Sequence, residues 1–211
     1  MHYTLPKIYP ITDVRLSGIS HTEQVRRLVR GGARLIQLRE KEQRVGEWVD
    51  DAREALAAAR EAGAQLIIND RADLALAIGA DGVHLGQDDL PPDEARKLLG
   101  PHAIIGLSTH SLKQAIAAVD SPVDYIGVGP IFATNTKTAA GPAVGLELLT
   151  TIRKAVGDLK IVAIGGIGRE DLIPVLSAGA DAAAMIGAIN SDPDLIEERM
   201  ASLIHLLTDK R

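Results

Sequence analysis

Carboxylates, cations and hydroxyls recur in this chain directly after short apolar runs. "LIQLREK" ends in Gln37, Arg39 and Lys41, and "QLIIND" in Asn69 and Asp70. "GVHLGQDDL" carries His84, Gln87, Asp88 and Asp89, and "AIIGLSTH" closes on Ser108, Thr109 and His110. A long segment from Gly129 to Val144 follows, with Thr134, Thr136 and Lys137, and then two glycine turns, at Gly165–Gly166 and at Gly187. Such a set suits phosphate. An arginine forks onto two oxygens, lysines act as point charges, and hydroxyls add neutral donors. Carboxylates beside a phosphate repel it unless a metal intervenes, and Mg²⁺ is commonly held by one or two carboxylates plus phosphate oxygens. Asp70 and Asp89 are therefore expected to share a magnesium ion. The glycine turns stand before helices, where backbone N–H groups can receive a monophosphate. Two phosphate sites on one rim suggest the joining of two phosphorylated molecules.

Each signal has a plainer reading. Asp70 can cap the helix that follows it, and Asp88 and Asp89 can be ordinary turn residues. His84 can be a satisfied core side chain, Gly165 and Gly166 can serve only to turn the chain, and "QLREK" can be a solvated charge cluster. What favours chemistry is that independent signals fall on successive strand ends.

Those ends require a frame. Eight apolar, β-rich runs, from "KIYPI" to "AAAMI", alternate with eight stretches of helical periodicity such as "VGEWVDDAREALAAAREAG". Near-continuous Ile, Val and Leu in the runs predicts parallel strands buried on both faces. Eight repeats favour a closed (β/α)₈ barrel, an α/β fold with its chemistry at the strand C-termini, with an open doubly wound sheet as the alternative. "GA" dipeptides before several strands supply the turn out of each helix. The Gly129–Val144 connection is the long one, sized to close over a site as a lid.

The 211 residues are expected to form one domain, residues 1–211. With 46% hydrophobic but only 2% aromatic residues, the interior must be aliphatic, packed around Phe132, Trp48 and the tyrosines. A net charge of −5 argues against nucleic acid and anionic membranes as partners. The chain has no cysteine, which excludes disulfides, thiolate catalysis and thiolate metal sites. The N-terminus shows no signal-peptide pattern and no run approaches a membrane span, so a cytoplasmic location is expected. A homo-oligomer is left open.

From residue 9 to about residue 190, "YPITD", "QLREK", "NDRADLALAIGADGVHLGQDDL", "IGLSTHS", "DYIGVGPIFATNTK", "GPAVGLELL" and "AIGGI" resemble, in order, the thiamine phosphate synthase family. The resemblance implies a (β/α)₈ barrel that joins 4-amino-5-hydroxymethyl-2-methylpyrimidine diphosphate to 4-methyl-5-(2-hydroxyethyl)thiazole phosphate and releases pyrophosphate. It implies Mg²⁺ on Asp70 and Asp89. The pyrimidine diphosphate would meet Gln37, Leu38, Arg39, Glu40, Lys41, Asn69, Ser108 and Lys137, with Arg39, Lys41, Ser108 and Lys137 in catalytic roles. The thiazole phosphate would meet Thr134, Asn135, Thr136, Gly166, Ile186 and Gly187. Gly187 departs from the serine common in the family, which removes one hydroxyl contact. Two relatives in the superfamily's range stand as alternatives: a thiazole tautomerase, in which a histidine such as His110 would be catalytic, and a thiazole-phosphate-binding regulator.

Overall fold

Eight short strands close on themselves. In the computed structural model, which describes residues 5–134 and 142–208, these are β1 (Ile8–Thr12), β2 (Leu35–Leu38), β3 (Gln65–Asn69), β4 (Gly82–Leu85), β5 (Ile104–Thr109), β6 (Tyr125–Val128), β7 (Lys160–Ile164) and β8 (Ala182–Met185). Every neighbouring pair is parallel, and β1 pairs with both β2 and β8, so the chain is a (β/α)₈ barrel and the open sheet is excluded.

Side chains alternate between two apolar layers because successive residues of a strand point to opposite faces. The smaller layer fills the barrel with Tyr9, Ile11, Leu35, Ile67, Ile104, Tyr125, Val162, Ala182 and Ala184. The larger lies between strands and helices and includes Leu38, Ile68, Val83, Leu85 and Ile126. Counting by twos from the inner layer, Leu35 leads to Gln37, Ile67 to Asn69, and Ile104 through Gly106 to Ser108. The register pairs Asn69 with His84 and His84 with Gly106. The inner face thus turns from apolar to polar as the strands approach their C-terminal ends. Gly106 makes this possible: a Cβ there would sit 2.2 Å from Tyr125 Cζ and 2.5 Å from His84 Nδ1.

The predicted helices are present with trimmed ends. The longest, Val45–Glu61, buries Trp48, Ala52, Ala55, Leu56 and Ala59 on one stripe, as its periodicity requires. Ser20 and Ser111 cap the helices that start at His21 and Leu112 by accepting from backbone N–H groups three residues on. Two four-residue helices, Val14–Ser17 and Gly187–Asn190, are additional to the sequence reading and follow β1 and β8. Among the described residues no helix is long and apolar enough to cross a membrane.

Candidate active site

The acidic corner forms where β3 and β4 end. Asp70 has φ +63°, a left-handed conformation uncommon for a side chain larger than glycine, and its N–H donates to the His84 carbonyl at 2.7 Å. The next helix begins at Ala72 with Arg71 in the capping position and no side-chain cap, so Asp70 is not a helix cap. Its carboxylate pairs instead with Lys41. Asp89 folds back so that Oδ2 accepts from the Gly86 N–H at 2.6 Å, so this candidate metal ligand is also a turn residue. Burial raises the Asp89 carboxyl above its usual range, the Gly86 N–H opposes this, and the charge of Asp70 raises it again against the pull of Lys41. Two carboxylates that crowd each other in this way favour a cation between them.

That donor set fits Mg²⁺, which prefers hard oxygen ligands and keeps positions for water and phosphate. No group of three or more His, Cys, Asp or Glu side chains suited to a metal occurs among the described residues. Asp70 and Asp89 would then supply at most two protein ligands, and the rest would come from substrate and water.

The "QLREK" segment divides its work. Gln37 is buried on the inner face. Leu38 is buried in the outer layer, which leaves only its backbone for the substrate contact expected of it. Arg39 donates from Nη1 to Asp13 Oδ2 at 2.8 Å, and Asp13 also caps the Val14–Ser17 helix through the Leu16 N–H. This pair fixes one edge of a guanidinium that has five N–H donors in all. Glu40 is turned inward to the loop: Oε1 accepts from the N–H groups of Lys41, Glu42 and Gln43 at 2.8, 2.7 and 3.2 Å, and Oε2 lies 3.6 Å from His21 Nε2. Burial alone would raise its carboxyl, but these N–H bonds and His21 together bring it below the usual range. Glu40 shapes the loop that presents Lys41.

The floor is polar and ordered. His84 bonds Tyr125 OH through Nδ1 at 3.0 Å and Ser108 Oγ through Nε2 at 2.9 Å. Tyr125 OH lies 3.1 Å from Tyr9 OH, which accepts from Gln37 Nε2 at 3.2 Å. Gln87 Nε2 donates to the Ser108 carbonyl at 2.6 Å. Asn69 Nδ2 is a buried donor without a hydrogen-bond partner among the described residues.

Across the mouth, the loops after β6 and β7 interlock. Phe132 N–H donates to the Gly165 carbonyl at 3.0 Å. Gly166 has φ +64°, and a Cβ on it would meet Ala133 O at 2.5 Å. The glycine pair therefore has a structural duty, bringing the β7 turn against the residues beside Thr134. Just after β8, Ile186 packs against the inner layer and Gly187 opens the Gly187–Asn190 helix, so its backbone N–H stands at a helix start. Asn135, Thr136 and Lys137 lie outside the described residues, as does the middle of the expected lid, residues 135–141. His110 Nδ1 is engaged with the Gly129 carbonyl at 2.7 Å.

Asp13, Tyr9 and Tyr125 were absent from the sequence-based site. Tyr9 and Tyr125 could have been placed on the inner face by strand alternation. Asp13 needed the β1–β2 register, which sets Thr12 beside Leu38.

A parallel barrel whose strand C-termini collect a carboxylate pair, cations and turn N–H groups is the mark of a (β/α)₈-barrel enzyme built for charged small molecules. The chain belongs to the thiamine monophosphate synthase family, whose sequence pattern matches residues 8–189. It is 46% identical over 189 residues to the thiamine-phosphate synthase of Syntrophomonas wolfei, covering 89% of this chain and 90% of that one. It is 44% identical over 190 residues to the thiamine-phosphate synthase of Chloroflexus aurantiacus, covering 90% and 87%. The solved thiamine phosphate pyrophosphorylase from Pyrococcus furiosus superposes with a TM-score of 0.86 at 36% identity, over 96% of each chain.

Proposed function

We propose that this chain is a thiamine-phosphate synthase: it joins 4-amino-5-hydroxymethyl-2-methylpyrimidine diphosphate to 4-methyl-5-(2-hydroxyethyl)thiazole phosphate and releases pyrophosphate. The observation that carries the reading is the meeting of Lys41, Asp70 and Asp89 at the ends of β2, β3 and β4, above the inward-facing Gln37, Asn69 and Ser108. The named relatives support the same activity.

In this reaction the bond from the pyrimidine methylene carbon to the diphosphate oxygen breaks, and its electron pair leaves with pyrophosphate. The aminopyrimidine delocalises the resulting cation, so no enzymic base has to start the step. The thiazole nitrogen then gives its lone pair to that carbon and forms the new C–N bond. Mg²⁺ held by Asp70 and Asp89 would neutralise charge on the diphosphate. Lys41, the unpaired edge of Arg39 and Lys137 share that task, and the Ser108 hydroxyl and the Asn69 amide fix the pyrimidine end. Thr134, Asn135, Thr136, Gly166, Ile186 and Gly187 anchor the thiazole phosphate so that its nitrogen is already in line.

The test is turnover of both substrates by the purified protein, with Mg²⁺ and with a chelator, following thiamine phosphate and pyrophosphate together. Metal-dependent release of both in equal amounts is expected; no product from the intact chain would overturn the assignment.

A further inference from the structure

Asp13 has every polar atom engaged. Its N–H donates to Gln24 Oε1 at 3.0 Å, and its carbonyl accepts from the Ser17 N–H at 3.1 Å and from the Ser17 hydroxyl at 2.9 Å. Carboxylate Oδ1 accepts from the Leu16 N–H at 3.0 Å and Oδ2 from Arg39 Nη1 at 2.8 Å. Gln24 is itself fully buried and tied through Nε2 to the Ile19 carbonyl at 3.0 Å. The carboxylate cannot turn without breaking its own support.

The fold alone asks less of this residue. A helix cap needs one oxygen, which serine, threonine or asparagine supplies as well as aspartate does. The second oxygen and the charge go to Arg39. With side chains 15% and 11% exposed, Arg39 and Asp13 are the most enclosed arginine–carboxylate pair among the described residues. Arg39 is held at its backbone as well, where its N–H donates to Thr12 Oγ1 at 3.4 Å. Thr12 and Leu38 are register partners at the ends of β1 and β2, so the support and the guanidinium leave neighbouring strands side by side. With Nη1 taken, Nε and Nη2 have no hydrogen-bond partner among the described residues. Those parallel donors form an edge that can grip two phosphate oxygens at once.

We infer that Asp13 is a positioning residue, which holds Arg39 as a fixed clamp with its Nε–Nη2 edge oriented for the diphosphate before substrate arrives. This rests on the proposed contact of Arg39 with the pyrimidine diphosphate. Lys41 differs, because its partner Asp70 is a candidate metal ligand and that pair must open when the metal diphosphate enters. Asp13 is outside the proposed metal pair, so Arg39 keeps its support throughout. A guanidinium already oriented has no freedom left to lose as charge grows on the departing pyrophosphate.

Asp13→Ser separates the two duties, because serine still caps the helix but is too short to reach Arg39. Asp13→Thr does the same and serves alone if the serine variant fails to fold. Each is expected to lower kcat/KM for the pyrimidine diphosphate about 10–100-fold, the scale of a misplaced contact. In an Arg39→Gln background, which has already lost the clamp, the same substitution is expected to cost no more than about twofold. Losses of equal size in both backgrounds would mark a merely structural role and overturn the inference, as would unchanged kcat/KM in a folded single variant. Nitrogen relaxation of the Arg39 Nε–H, in the full chain without substrate and assigned through Arg39→Lys, reads the clamp without turnover. The group is expected to be ordered in the wild type and mobile in the Asp13 variants. A mobile Arg39 in the wild type, or equal order in all, would overturn the inference too. An Arg39 that loosens as expected in a protein with no synthase activity would keep Asp13 as its anchor and condemn the diphosphate reading instead.

Discussion

Lys41, just beyond β2, closes an ion pair with Asp70, the first residue beyond β3, and Asp70 in turn bears electrostatically on Asp89 beyond β4. Lys41 thus holds in place of a metal one of the carboxylates that a metal would need. When a diphosphate and its cation enter, the lysine can pass from carboxylate to phosphate without leaving the site. Replacing Lys41 with Met is expected to lower kcat/KM for the pyrimidine diphosphate by about 10²–10³, the usual worth of one preorganised donor to developing charge. Thermal stability should change little, because the pair is partly solvent-exposed. Steady-state kinetics beside a melting curve separate the two effects.

Asp89→Ala and Lys137→Ala are expected to lower turnover far more than stability. The Asp89 carboxylate also braces a turn through Gly86, so its variant should show a modest melting shift as well. Normal turnover in either variant contradicts its role.

Gly187→Ser restores a hydroxyl at the start of the helix after β8. One added hydrogen bond to a charged phosphate is worth about 1.5–3 kcal/mol, so KM for thiazole phosphate should fall by roughly 10–150-fold while KM for the pyrimidine diphosphate holds. Equal KM values in both proteins would remove Gly187 from the phosphate site.

Gly166→Ala tests the interlock of two loops. The substitution forces a side chain into φ +64° and against Ala133 O, so a loss of about 1–3 kcal/mol is expected. The damage should fall on thiazole phosphate binding if Gly166 contacts that substrate as proposed. Denaturant unfolding and separate KM values check both parts.

Stability should also respond to pH through His21. Its imidazole is buried beside Trp48 and bonded to Thr12 Oγ1 at 2.7 Å. Burial lowers its pKa, against the charges of Asp51 and Glu40. The native state therefore refuses a proton that the unfolded chain accepts near pH 6.5. The contribution is complete above that pH and is lost as pH falls toward the native value, with a slope of at most about 1.4 kcal/mol per pH unit. Urea midpoints from pH 7.5 down to 5 should decline, and His21→Gln should flatten the decline. An identical slope in the variant contradicts the account.

Much of this architecture was legible in the residues. The strands showed themselves as aliphatic runs because both faces are buried, and Val45–Glu61 showed itself because seventeen residues give a period time to repeat. The helices Val14–Ser17 and Gly187–Asn190 were not visible, since four residues span barely one turn. For the site, Asp70 and Asp89 could be named from their place after strands. The left-handed turn at Asp70 could not, because only the pairing of its N–H with His84 O imposes it. The same holds for Arg39 with Asp13 and for Tyr9 with Tyr125: partners 26 and 116 residues apart meet only once the barrel has closed.

Calorimetric titration of inorganic pyrophosphate into the wild type, Asp70→Asn and Asp89→Asn, each with Mg²⁺ and with a chelator, tests the shared-metal claim most directly. Tight binding by the wild type only with Mg²⁺, and weakened metal-dependent binding in both variants, is the predicted result. Pyrophosphate that binds equally well under chelation, or variants that keep the full metal dependence, would show that the two carboxylates hold no metal for the diphosphate.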